Sequence, residues 1–462
     1  MRRLFADLTR SPLGLAGAIA ATVAGVLVVT LLALGLVGFH GGPYLGILAF
    51  VILPGVFVVG LLLIPLGDWL ERRRRAGGGE EPALPVVDLN RPATRRRVLF
   101  IAALTMVNVV IVALATFGAV EVMDSPAFCG SCHSVMDPEF TAYQRSNHAR
   151  VACVECHIGP GAPWFVKSKL SGAWQLVSVT FDLYERPIPV PVHDLRPARD
   201  TCERCHWPTR FFGDRLRVRT SHADDAASTP RRTVLVVHVG GGEEGGGGVH
   251  WHVRPGVQVR YQADPSRSKI GAVELALADG TRRTFRAPEP VEGAGGEWRT
   301  MDCVDCHNRP THVFGTPERE VDAAIVAGRI DRTLPFVRRE GVRLVRQEHP
   351  SHEAARAAIR DGLRAFYARE HPDVARSRSD AIDAAAGALG DVYATNVWPS
   401  MRIGWGTYPS FVGHEEAPGC FRCHDEAHAA EDGRTISQDC DLCHRVLAED
   451  EVDPPVLKEL GR

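Results

Sequence analysis

Six copies of Cys-x-x-Cys-His punctuate the 462-residue chain and use all 12 of its cysteines. The pairs are Cys129/Cys132, Cys153/Cys156, Cys202/Cys205, Cys303/Cys306, Cys420/Cys423 and Cys440/Cys443. Each second cysteine is followed at once by a histidine: His133, His157, His206, His307, His424 and His444. Chance would give on the order of 0.01 such units in a chain of this composition. The spacing suits c-type haem attachment. Two thiols add across the haem vinyl groups, and the adjoining imidazole reaches the iron as its proximal ligand. A disulfide framework does not call for this spacing without exception. Structural zinc takes four N/S ligands, and the following histidine is not part of its usual pattern. Six covalently bound haem c groups, each with one iron, are therefore expected.

The other 13 histidines exceed what a chain of this size needs, and a six-haem protein would use many as second axial ligands. His250 and His252 lie two apart in VHWHVRPGVQVRYQ at 249–262, which reads as strand, so they are expected on one face. With His238 they are candidates to reach a haem. His414, six before Cys420, and His428, four after His424, are candidate distal ligands as well. No nucleotide-binding loop, no Ser-His-Asp arrangement and no Cys-x-x-Cys-Lys variant is visible.

The elements that must hold these groups begin in a membrane. Three runs, about 12–39, 43–66 and 98–120, carry no formal charge and are long enough to span as helices. Arginines set the orientation. Arg2, Arg3 and Arg10 precede the first run. Arg72 to Arg75, Arg91 and Arg95 to Arg97 lie between the second and third, whereas the first link has no Lys or Arg. The N-terminus is thus expected in the cytoplasm of a bacterial inner membrane and the haem domain in the periplasm. The arginine run reads as a topology signal, so no nucleic-acid partner is expected. The first run is too long for a cleavable signal peptide.

The expected fold is a membrane-anchored multihaem cytochrome: three transmembrane helices, then a mostly helical and loop haem-rich periplasmic domain with a small antiparallel β insert. Residues 1–120 form the membrane domain. Residues 121–215 hold haems one to three. Residues 216–300 form the β insert, from TVLVVHV at 233–239, the 249–262 segment and AVELALADGTRRTFRA at 272–287 with a hairpin signal at Asp279-Gly280. GGGEEGGGG at 240–248 reads as a loop. Residues 301–395 carry the fourth motif and a helical spacer, and residues 396–462 the last two motifs. The formal charge of −2 omits haem propionates, so the outer part is more acidic than the count suggests.

The order CGSCHSVM, SNHARVACVECH, a third motif, then MDCVDCHNRPTH after a membrane helix resembles the NapC/NirT family of membrane-anchored multihaem cytochromes. The likeness covers 98–215 and 300–314. The first two spans, the β insert and the last two motifs resemble the longer inner-membrane relatives of metal-respiring and other anaerobic bacteria. The family implies oxidation of menaquinol or ubiquinol from the membrane pool and delivery of electrons to a periplasmic cytochrome or reductase. It implies Met136 as a ligand of the first haem. Here Met136 lies three residues after the motif histidine rather than two, which leaves His133 and Met136 both open as the iron ligand. It implies His148 as distal ligand of the third haem and His312 of the second. It also implies Lys167 and Lys169 near the quinol pocket. Glu121, Asp124, Asp137 and Glu139 are carboxylates placed to accept the quinol protons. The leading expectation is thus a quinol dehydrogenase, with a passive conduit fed by another membrane complex and a terminal reductase as the alternatives. Homo- or hetero-oligomeric assembly stays open.

Overall fold

A computed structural model describes residues 11–36, 52–75, 89–131, 133–159, 162–191, 196–240 and 247–461. It divides into two compact units, Met1–His133 and Ser134–Arg462.

The first unit contains helices α1 (Pro12–Leu36), α2 (Leu53–Arg75) and α3 (Pro92–Met123), each long and apolar enough to cross a membrane. Residues 37–39 and 43–51 of the expected spans lie outside the described residues. α2 runs on to Arg75 and α3 starts back at Pro92, so both helices exceed their apolar runs at the arginine-rich ends. Long arginine stems can lie along an apolar surface while the head reaches water, so they need not end the helix. α1 and α2 approach through small residues. A Cβ on Gly60 would stand 2.7 Å from the Ala21 nitrogen, and one on Gly17 would stand 2.7 Å from the Gly60 carbonyl oxygen. Lipid offers no hydrophobic force between helices, so backbone proximity of this kind supplies the packing. Ala21, Ala24, Val28, Leu53, Phe57 and Ala115 are buried there, while Val26, Leu62, Met106 and Phe117 face outward.

The second unit begins with α4 (His133–Gln144) and, after the second motif, α5 (Ala162–Thr180). Six strands follow: β1 (Asp214–His222), β2 (Pro230–His238), β3 (Val257–Ala263), β4 (Ile270–Leu277), β5 (Arg282–Arg286) and β6 (Arg299–Thr300). Next come helices α6 (Pro317–Val326), α7 (Val337–Val345), α8 (His352–Glu370) and α9 (Ser379–Asn396), and the C-terminal part adds β7 (His444–Glu451). Val321, Leu344, Ile359, Leu363, Tyr367 and Leu389 form the common core of α6 to α9. Thr316 and Ser351 cap α6 and α8 through their side-chain oxygens.

The strands form two antiparallel sheets, β1-β2-β7 and β5-β4-β3-β6. The expected hairpin at Asp279-Gly280 joins β4 to β5, with Gly280 at φ +89 and the Thr281 N–H donating to Asp279. The first of these sheets is completed by β7 from the C-terminal region, which pairs with β2. One expectation is corrected: 249–262 is not one strand. Pro255 has no N–H to pair and Gly256 takes φ +79, so the strand starts only at Val257. Ahead of it, Trp251–Val253 form a 3₁₀ turn. The inference that alternation puts His250 and His252 on one face falls with the strand.

Candidate haem centres

Each described motif is wound into a tight turn. Cys153–His157, Ala198–Cys202 and Cys303–Cys306 are helical, and Gly419–Arg422 and Cys440–Leu442 are 3₁₀. Side chains three apart on such turns are neighbours, which presents both thiols of a motif to one partner. In the first motif, Cys129 belongs to the turn Pro126–Gly130, which Ser125 caps by accepting from the Phe128 N–H. Cys132 and the side chain of His133 lie outside the described residues.

Five motif histidines each face a second histidine. The ring centres of His157 and His312 are 6.2 Å apart, those of His206 and His148 6.0 Å, and those of His307 and His250 6.3 Å. His424 and His252 stand 5.7 Å apart, and His444 and His414 6.0 Å. An iron held between two imidazoles by bonds of about 2 Å keeps their ring centres about 6 Å apart. The five spacings fit that requirement.

Hydrogen bonds aim several of these rings. The Nδ1 atoms of His250, His252, His312 and His424 lie 3.1, 3.2, 3.0 and 2.7 Å from the carbonyl oxygens of Val239, Val249, Glu139 and Ser437. A carbonyl only accepts, so Nδ1 carries the proton and Nε2 keeps its lone pair for a metal. Nε2 of His424 then faces Nε2 of His252 at 3.5 Å, two acceptors turned toward each other. Burial lowers the pKa of His157, His250, His252, His307 and His312, which favours the neutral, ligating form.

Charged side chains around the pairs are also engaged. Arg309 donates two bonds of 2.9 Å to Glu139 and a third to the His312 carbonyl, tying α4 to the His312 segment. Asp302 and Asp305 form a capping box on the fourth motif. Buried Asp305 also accepts from Tyr261 at 2.7 Å and from Arg299 at 2.8 Å. Arg422, inside the fifth motif, donates to the Asp305 carbonyl inside the fourth and to the Arg267 carbonyl, both at 2.6 Å. Arg309 sits in the HNRPTH stretch read for its histidine. Arg422 and Asp305 occupy the variable positions of their motifs, where sequence gives no cue.

Successive motifs lie side by side. The interaction of the Cys202 and Cys303 thiols raises the pKa of the first and lowers that of the second. Burial above all, then nearby charge, raises the Cys156 thiol, and Cys205 is among the contributors. Burial likewise pushes Cys306 and Cys423 up to about 12, with each influenced by the other motif's thiols, and Cys443 is raised by burial and by Cys420. Each of these shifts involves a thiol of an adjoining motif, from the second to the sixth.

Other expected residues sit elsewhere. His428, expected as a distal ligand, is buried with Nδ1 2.9 Å from Asp425 and Nε2 3.0 Å from the Ile270 carbonyl, and it faces none of the described motif histidine rings. His238 pairs with Asp214 at 2.8 Å. Glu139 is taken up by Arg309 and His312. Lys167 is exposed on α5 with its ammonium 5.2 Å from the Trp164 ring, and Lys169 is half-buried two residues on. Asp124 caps the C-terminal end of α3, and Met136 is half-buried on α4.

Comparison with known proteins finds c-type cytochromes. Residues 91–187 match the N-terminal region of the NapC/NirT cytochrome c family. The cytochrome c-type protein ImcH of Geobacter sulfurreducens is 41% identical over 449 residues, covering 95% of this chain and 88% of that protein. NrfH of Wolinella succinogenes is 31% identical over 84 residues, 18% of this chain and 47% of that protein. TorC of Escherichia coli is 34% identical over 91 residues, 18% of this chain and 23% of that protein. No solved structure matches the chain. On this likeness, and on the motifs that carry it, the chain belongs to the NapC/NirT family of c-type cytochromes, membrane proteins of electron transport that bind haem covalently.

Proposed function

We propose that this protein oxidises menaquinol or a related quinol at the inner membrane and relays the electrons through six haem c groups to a periplasmic cytochrome or reductase. The observation that carries the reading is the set of five opposed histidine pairs strung along adjacent motifs. Haem at each motif supplies one-electron redox chemistry. Two imidazoles on one iron leave no site for a substrate, so these five centres suit electron passage and not terminal reduction.

The entry point in this reading is the first motif, Cys129 to His133, which follows the last candidate span directly. Its axial ligand is His133 or Met136. A quinol gives up two electrons and two protons. The electrons leave one at a time along the motifs, and the protons pass to a carboxylate, for which Asp124 is the candidate. Lys167 and Lys169 are the candidate residues that hold the quinol oxygen.

The test is a visible spectrum of the detergent-purified protein during addition of a reduced menaquinol analogue, with and without a quinol-site inhibitor. Haem bands should shift to the reduced form, and the inhibitor should block the shift. Haems that reduce only with dithionite would overturn quinol oxidation and favour a conduit fed by another membrane complex.

A further inference from the structure

The second sheet looks at first like an insert with no part in the chemistry. Its edges say otherwise. The fourth motif is bound to it through β6, which pairs Arg260 with Thr300 and Tyr261 with Arg299. The Met301 N–H also donates to the Val259 carbonyl at 2.9 Å. The fifth motif is bound to the same sheet by a bridge between Arg286 and Ala429 and by His428 on the Ile270 carbonyl. Trp251, Met301, Cys423, Ala430 and Ile436 all pack on its apolar core. Arg422 then links the two motifs directly, as described above.

The 3₁₀ turn that leads into β3 stands between these two mounted motifs. Its residues are fixed from behind. The Val249 N–H donates to the His238 carbonyl at 2.9 Å, and the His250 N–H to the Val239 carbonyl at 3.1 Å. The His250 ring lies 4.6 Å from the Phe211 ring and nearly parallel to His307, at an interplanar angle of 10°. His252, two residues on, turns to the other motif and faces His424.

We propose that this one turn supplies the distal ligand of two successive haems, His250 to the haem held by Cys303, Cys306 and His307, and His252 to the haem held by Cys420, Cys423 and His424. The sheet is then a bracket that fixes the separation of the two irons by a two-residue step of backbone. The turn also joins the family-like part of the chain to its C-terminal extension. The inference rests on the haem reading of the motifs, but not on quinol as the donor.

The experiment is electron paramagnetic resonance and visible spectroscopy of oxidised, detergent-purified H250A, H252A and the double variant, each with its haem content measured chemically. Each single variant should keep all six haems and convert one from low-spin to high-spin, about a sixth of the total. The double variant should convert two. Added imidazole should restore the low-spin signal in every case. If an alanine variant fails to assemble, H250M and H252M keep a ligating side chain of similar reach. Each should then replace one bis-histidine signal by a histidine–methionine signal with a sulfur-to-iron band. A complement of low-spin, bis-histidine haems unchanged from the unaltered protein in either series would overturn the proposal, as would conversion of two haems by one substitution. Failure of quinol reduction with these signals as expected would overturn the quinol donor alone.

Discussion

At the scale of single residues, one histidine in this chain argues against its own composition. His428 lies four residues after a motif histidine, as a local distal ligand would, yet both of its ring nitrogens are committed. Asp425 holds one and the Ile270 carbonyl the other, in a buried site. It is a clamp between the fifth motif and β4. The variant H428A should lower stability by about 1–3 kcal/mol, the range for a buried group left without its partner. Denaturant unfolding of the detergent-purified protein followed by circular dichroism reads that loss. The oxidised spectrum should show no haem converted from low-spin to high-spin. A new high-spin signal would instead make His428 a ligand. The sequence motif identified the attachment residues because thioether chemistry fixes the Cys-x-x-Cys-His spacing locally. Distal partners carry no such spacing. His250 and His307 are far apart in sequence and meet only once the sheets fold, so only a resemblance could suggest two of the five pairings beforehand.

At the scale of elements, apolar length was the most legible feature, since a bilayer demands it of each segment separately. The helical spacer was legible for a similar reason, the apolar residues of Pro317–Val326 and His352–Glu370 recurring at helical spacing, as at Ile359 and Leu363. Strand pairing was less so. β1 reads DRLRVRTSH, too charged to stand out, and β7 is separated from its partner β2 by the rest of the outer chain. The packing of α1 on α2 shows the same limit. Nothing in an apolar run says which glycines meet, yet Gly17 and Gly60 leave no room for a side chain. The variant G60V should push the helices apart at a cost of about 1–3 kcal/mol, as overpacking does. It should lower the thermal unfolding midpoint in detergent while the haem spectrum of the outer unit stays unchanged. A midpoint equal to that of the unaltered protein would show that α1 and α2 do not pack through this face.

At the scale of the whole outer unit, thiols of consecutive motifs influence one another from the second motif to the sixth. The thiols of the second motif neighbour those of the third, the third the fourth, the fourth the fifth and the fifth the sixth. If electrons follow that succession of motifs, the path is a row, and a row can be cut. The variant C303S/C306S removes attachment at the fourth motif. After mixing with a reduced quinol analogue, stopped-flow absorbance should show the haems ahead of the cut reducing at the ordinary rate. The two beyond it, at Cys420/Cys423 and Cys440/Cys443, should stay oxidised on that timescale. The matched control is C440S/C443S, which cuts at the end of the row and should leave all five remaining haems reducible at the ordinary rate. Full and rapid reduction in both variants would mean that electrons bypass the fourth centre and that the row is not the path. Arrest in the first variant alone would assign the sequential motif order as the electron route, with exit at the sixth haem, where Cys440 is exposed at the surface.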